Sequence, residues 1–124
     1  RKVVKMTKVL IVDDAAFIRI QLKQMLSENG FDVVGEAENG KVALRKIKEL
    51  KPDIVTLDIT MPEMDGLECM AEINKMEEKP VVIMVSAMGQ ETYVQKAILN
   101  GAKGYIVKPY KPEVVISQMN KYRK

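Results

Sequence analysis

The chain has no histidine, no tryptophan and a single cysteine, Cys69, in 124 residues. Without histidine it lacks the usual general base, the usual zinc ligand and any Ser-His or Cys-His nucleophile. Chemistry here must fall to carboxylates, hydroxyls and lysines. A lone cysteine excludes an internal disulfide and fits a reducing compartment. Aromatics are scarce, two Phe and four Tyr, so the core must be aliphatic, with the nine Met as flexible gap-fillers. Long apolar runs are also missing. The stretch from Pro80 to Gly89 falls far short of the ~20 residues that cross a bilayer, which argues against membrane insertion. The basic start followed by Val9-Leu10-Ile11-Val12 is too short for a signal peptide and ends in two aspartates. Charge of one sign is lacking too. Twenty Lys and Arg against seventeen Asp and Glu leave +3, with no dense basic stripe for nucleic acid.

What is present is enough for one domain, since a chain of this size buries roughly two-thirds of its unfolded surface. Strand-like runs at 8–12, 32–37, 54–57, 81–85 and 104–107 alternate with segments of helical spacing. Ile18, Leu22, Met25 and Leu26 share the first helical face, and Gly30 closes it. Leu44, Ile47 and Leu50 mark the second, stopped by Pro52. A third runs from about Gly66 to Lys75, with Leu67, Met70, Ala71 and Ile73 inward. The fourth has Val94, Ala97 and Ile98 and ends at Asn100-Gly101. The fifth opens near Pro112 and carries Val115, Ile116 and Met119. Five β-α units in strict alternation predict an α/β fold, a doubly wound parallel sheet with helices on both faces. Residues 1–7 are read as an N-terminal extension or the start of strand one, and 8–124 as the domain.

The polar residues then fall in one place. Asp13 and Asp14 follow strand one, Asp58 follows strand three, Ser86 strand four and Lys108 strand five. Each stands at the carboxyl end of a parallel strand, the edge where open α/β sheets bind ligands. Three carboxylates a few ångströms apart repel by roughly 4 kcal/mol per close pair at a protein-like effective dielectric. A hard divalent cation relieves that, and oxygen-only ligands point to Mg²⁺, with Mn²⁺ as a substitute. Mg²⁺ readily takes phosphate oxygens, so the implied substrate is a phosphoryl group. Asp58 is central and is the candidate nucleophile, forming an acyl phosphate. Lys108 and Ser86 can neutralise and orient the transferred oxygens. Duller roles compete: Asp13 or Asp14 as a helix cap, Ser86 as a turn residue, Lys108 as a solvated loop lysine. Their joint placement argues against all of these at once.

These residues resemble the signatures of response-regulator receivers. Val9-Leu10-Ile11-Val12-Asp13-Asp14 looks like the opening strand. Asp58-Ile59-Thr60-Met61-Pro62-Glu63-Met64-Asp65-Gly66 looks like the phosphoacceptor loop, and Ser86-Ala87 and Lys108-Pro109-Tyr110 match the later signatures, all in order between Lys8 and about Tyr122. The resemblance implies a flavodoxin-like sheet of order 2-1-3-4-5 with five helices. It implies phosphorylation of Asp58 by a separate histidine kinase in the cytoplasm of a two-component system. Asp14 and Asp58 would ligate Mg²⁺, Asp13 would act partly through water, and the Thr60 carbonyl would complete the set. Lys108 would pair with the carboxylate and then the phosphoryl oxygens, and its bond to Pro109 would be cis. Ser86 would swing toward the phosphoryl group with Tyr105 turning inward behind it. The face of helix four, strand five and helix five would report the change through Met88, Tyr93, Lys103 and Tyr105.

Asp13-Asp14-Ala15-Ala16-Phe17-Ile18-Arg19 and Ser86-Ala87-Met88-Gly89-Gln90 are most similar to the stand-alone chemotaxis receivers. That implies a flagellar motor-switch partner and a phosphatase as a further partner class. Such a protein assists its own phosphorylation and dephosphorylation and turns over no external substrate, so it is not an enzyme in the ordinary sense. Ser86 departs from the commoner Thr but keeps the hydroxyl. The chain stops after helix five, which leaves no room in it for an output domain; the alternative is a receiver excised from a regulator with a DNA-binding or catalytic domain. From another class, a haloacid-dehalogenase-like phosphohydrolase also uses an aspartyl phosphate and Mg²⁺. Its nucleophile sits in Asp-x-Asp after strand one, a spacing that Asp13-Asp14-Ala15 lacks.

Overall fold

The computed structural model describes residues 5–124, so the first part of the expected N-terminal extension lies outside the described residues. Five strands, β1 (Lys8–Val12), β2 (Asp32–Ala37), β3 (Ile54–Leu57), β4 (Val81–Ser86) and β5 (Gly104–Val107), alternate with five helices. The helices are α1 (Ala16–Glu28), α2 (Gly40–Leu50), α3 (Gly66–Asn74), α4 (Glu91–Leu99) and α5 (Pro112–Asn120). All strand pairs are parallel and the order is β2-β1-β3-β4-β5, as the resemblance implies. β4 runs one residue beyond the expected end, because Ser86 pairs with Val107 and Lys108 donates its N–H to the Ser86 carbonyl.

The alternation of side chains along the strands splits the core in two. Val9, Ile11, Ile54, Ile83, Val85 and Ile106 pack with Leu22 and Leu26 of α1 and Val115 and Met119 of α5. Leu10, Val12, Val55, Leu57, Val82 and Met84 pack on the other face with Ala43 and Ile47 of α2, Met70 and Ile73 of α3 and Ala97 of α4. Burying each such aliphatic contributes about 1.5–3 kcal/mol, which fixes the register of every strand. That register is what delivers the polar residues to one rim. Ile98 departs from its expected inward position: it is 47% exposed, beside Leu99 at 83%, because α4 buries only Ala97 fully.

Local signals set the helix ends. The Asn39 side chain accepts from Val42 N–H, Asp65 and Glu68 form a reciprocal capping box, and Pro112 opens α5. No side chain caps α1 or α4. α2 closes on Lys51 in the left-handed region, φ 48°, with Pro52 next.

Inside the α1/α5 half of the core lies one polar exception. Thr56 is 1% exposed, and its hydroxyl finds no hydrogen-bond partner among the described residues. A buried unpaired hydroxyl costs about 1–3 kcal/mol. Thr56→Val keeps the β-branch and removes that cost, so its urea midpoint should rise with an unchanged slope; a lower midpoint would contradict the packing described.

Candidate functional site

The carboxyl ends of β1, β3, β4 and β5 bring their polar groups to the same edge: Asp13 and Asp14, Asp58, Ser86 and Lys108. Asp13 lies just beyond Val12, which pairs with Leu57, so Asp13 and Asp58 are neighbours by register. The backbone holds both tightly: Asp13 N–H donates to the Ala37 carbonyl and Asp58 N–H to the Val12 carbonyl, each at 3.0 Å. Gly66 is needed behind Asp58, because a Cβ there would stand 2.0 Å from the Asp58 carbonyl oxygen. The Gly66 N–H instead reaches the Ile59 carbonyl at 2.7 Å, closing the loop after β3.

One carboxylate oxygen from each of Asp13, Asp14 and Asp58 lies within 4.8 Å of the others. Asp13 and Asp58 are buried and Asp14 is exposed. Lys108 Nζ reaches between the buried pair, 2.7 Å from Asp13 Oδ2 and 3.3 Å from Asp58 Oδ2. The other oxygens are engaged by the chain itself: Asp13 Oδ1 accepts from Ala15 N–H at 2.9 Å and Asp58 Oδ1 from Ile59 N–H at 2.7 Å. Asp13 thus makes a local turn before α1, while neither aspartate is the side-chain cap of that helix. The Lys108-Pro109 bond is cis, as the resemblance implies.

Electrostatics follows from this crowding. Burial pushes the Asp58 carboxyl above its ordinary value and Asp13 adds to that, while Lys108 and the Ile59 N–H oppose it. Burial works against the Lys108 ammonium, but its bond to Asp13 and the charges of Asp58 and Asp13 outweigh this and raise its pKa. Three carboxylates against one ammonium leave the described cluster short of positive charge. Its donors are all oxygens, the set that a hard divalent cation selects over zinc or copper.

The remaining expected residues divide into two groups. Ser86 is fully buried and its Oγ accepts from Met88 N–H at 3.1 Å, so the turn role and a place on the rim coexist. The Tyr105 hydroxyl donates to the Met88 carbonyl, an inward arrangement, and Met88, Tyr93 and Tyr105 pack together against the α2/α3/α4 half of the core. Lys103 is exposed at the far end of β5, where its carbonyl accepts from the Tyr122 hydroxyl at 3.2 Å. Thr60 is exposed beside Asp58. Sequence reasoning gave Lys108 to the Asp58 carboxylate and missed that its shorter contact is to Asp13. It also gave Arg19 no role, although Arg19 Nη1 donates to the Asp13 carbonyl at 2.7 Å. An arginine one turn into a helix that follows an aspartate pair was the signal available.

Comparison with known proteins agrees with this geometry. Residues 9–120 match the response regulator receiver domain, and the chain belongs to that family. It is 53% identical over 117 residues to the chemotaxis protein CheY of Thermotoga maritima, covering 94% of this chain and 98% of that one. It is also 53% identical over 114 residues to CheY of Bacillus subtilis, covering 92% and 95%. Among solved structures, the CheX-CheY-BeF3-Mg²⁺ complex of Borrelia burgdorferi superposes with a TM-score of 0.89 at 41% identity, over 93% of this chain and 87% of that one.

The pKa direction at Asp58 fixes a sign. A carboxyl raised on folding disfavours the folded state above its folded pKa, and that penalty fades as pH falls to the unfolded value. In chelator-treated buffer Asp58→Asn should therefore melt above wild type at pH 7, with the gap closing in acid. Mg²⁺ at a hundred times its Kd should stabilise wild type by about 2.7 kcal/mol, roughly 10 °C in Tm, and leave Asp58→Asn nearly unmoved. Equal Mg²⁺ shifts in both proteins would contradict a site that includes Asp58.

Proposed function

We propose that this receiver works as a stand-alone chemotaxis response regulator, phosphorylated on Asp58 by a partner histidine kinase with Mg²⁺ at the acidic cluster. One observation carries the chemistry: the Lys108 ammonium bridges Asp13 and Asp58 at 2.7 and 3.3 Å beside Asp14. The 53% identity to CheY over nearly the full length of both chains supports the chemotaxis reading.

In this mechanism Asp14 and Asp58 would hold the ion, with Asp13 reaching it partly through water and the Thr60 carbonyl as a further candidate ligand. Bound Mg²⁺ supplies charge neutralisation of the equatorial phosphoryl oxygens. Everything else falls to the chain. A carboxylate oxygen of Asp58 attacks phosphorus, the bond to the donor imidazole breaks, and that imidazole leaves with its electron pair and takes up a proton from solvent. The Ile59 N–H orients the Asp58 carboxylate by its bond to Oδ1. Lys108, held protonated by Asp13 and Asp58, transfers part of its attraction to the incoming oxygens. The Ser86 hydroxyl accepts from Met88 N–H and so keeps its own proton to donate.

Phosphorylation adds close to two negative charges at the rim. If these favour the inward Ser86 and Tyr105 arrangement by ~1.4 kcal/mol, the population moves tenfold. The bond from Tyr105 to the Met88 carbonyl ties that arrangement to the loop before α4. The face bearing Met88, Tyr93, Lys103 and Tyr105 then presents the change to a flagellar motor-switch protein. The reading places the protein in the cytoplasm and assigns it no turnover of an external substrate; no helix among the described residues is long and apolar enough to cross a membrane.

Incubation with acetyl phosphate and Mg²⁺ should add one phosphoryl mass to the intact protein. Asp58→Asn or omission of Mg²⁺ should abolish it. Lys108→Ala, which loses the transition-state cation, should slow it by about a hundredfold or more. A folded, metal-binding wild type that stays unmodified would contradict the phosphoacceptor role.

A further inference from the structure

We infer that Arg19 is a positioning residue for the Mg²⁺ site, held in place by Glu36 and acting through the peptide that joins Asp13 to Asp14. The inference rests on the receiver chemistry proposed above. Arg19 leaves the first turn of α1 and turns back toward the rim. Its Nη1 donates to the Asp13 carbonyl at 2.7 Å and its Nε to Glu36 Oε1 at 3.1 Å, with the side chain only 17% exposed. Lys46 Nζ donates to the Glu36 carbonyl, and Lys23 approaches the Glu36 carboxylate at 3.8 Å, so the anchor on β2 is itself fixed.

The carbonyl that Arg19 holds is not an ordinary one. A peptide unit is planar, so fixing its oxygen fixes the orientation of the whole plane between two Cα atoms. Here those atoms carry Asp13 and Asp14. The Asp13 side of that plane is already fixed by Asp13 N–H on the Ala37 carbonyl and by the side-chain bonds to Ala15 and Lys108. Asp14 is exposed and makes no side-chain hydrogen bond among the described residues. Its direction toward Asp58 depends on the peptide plane before it. Arg19 sets that plane.

Two physical effects of Arg19 oppose each other, which makes the inference testable by sign. As a cation near a cation site it repels Mg²⁺. As the clamp on the Asp13–Asp14 peptide it orders a ligand. The guanidinium is bonded to Glu36, which offsets most of the repulsion, so positioning dominates. Outer partners that orient metal ligands typically contribute 10–100-fold in affinity.

Calorimetric titration with MgCl₂ tests this on the full chain. Arg19→Met, neutral and of similar length, should raise the Mg²⁺ Kd about tenfold. Arg19→Lys keeps one donor for the Asp13 carbonyl but not the fork to Glu36, so it should fall between the two. At saturating Mg²⁺ the acetyl phosphate rate of Arg19→Met should return to near the wild-type value, and the Asp14 amide resonance should shift in ¹⁵N spectra. A general loss of structure would lower the saturated rate as well. Should Arg19→Met fail to fold, Glu36→Gln gives the same readout, with a smaller loss of Mg²⁺ affinity expected. Unchanged or tighter Mg²⁺ binding in a folded variant overturns the inference alone. A wild type that takes up no Mg²⁺ overturns the receiver chemistry and this inference with it.

Discussion

Three like charges share one edge of the sheet, and a single ammonium stands among them. At separations under 4.8 Å each carboxylate pair repels by about 3–4 kcal/mol at an effective dielectric of 20. Lys108 answers for two of the three, bonded to Asp13 and Asp58, and its loop is tied to β4 through Ser86. The sheet must be rigid enough to hold that repulsion in place. The dry aliphatic packing on both its faces supplies the rigidity, so the bulk of the sequence acts as a frame for a few polar groups at one rim.

At the rim, the residues to which the proposed function gives chemistry also hold the local turns. Asp13 closes a turn through Ala15 and receives Lys108; Ser86 closes a turn through Met88 and ends β4 at the same edge. Under the proposed function a change of charge at Asp58 would act first on Lys108, and through that ammonium on Asp13. From Met88 the path continues to Tyr105 through a hydrogen bond, and Tyr105 lies on β5, where Met84 and Tyr105 pair across the strands. Under the proposed signalling scheme this chain of bonds is the two-state element, and no part of it is longer than one side chain.

Much of this was legible in the order of residues. The alternation of β-branched runs with helical spacing located all five strands to within one residue, because buried parallel strands must be short, apolar and regularly spaced. The acidic and basic groups at strand ends followed from that alone. What stayed hidden depends on side-chain reach across the fold. Nothing in the spacing said that Lys108 would sit closer to Asp13 than to Asp58, or that Arg19 would turn back from α1 to a backbone carbonyl while bonding to Glu36 on β2. Ile98 misled for a related reason: helical spacing marks a face, but not which helix turns that face outward. Gly66 was visible as part of a motif, and its steric necessity showed only in the 2.0 Å that would separate a Cβ there from the Asp58 carbonyl oxygen.

The most direct test uses beryllofluoride, a stable mimic of a phosphoryl group, observed by ¹⁹F NMR. With Mg²⁺ present, wild-type protein should show bound fluorine resonances at one adduct per chain, lost on Asp58→Asn, on chelation of the metal and largely on Lys108→Ala. Bound signals that persist without Asp58 or without Mg²⁺, or their absence from folded wild type at saturating reagent, would contradict a nucleophilic carboxylate and a divalent ion sharing that edge.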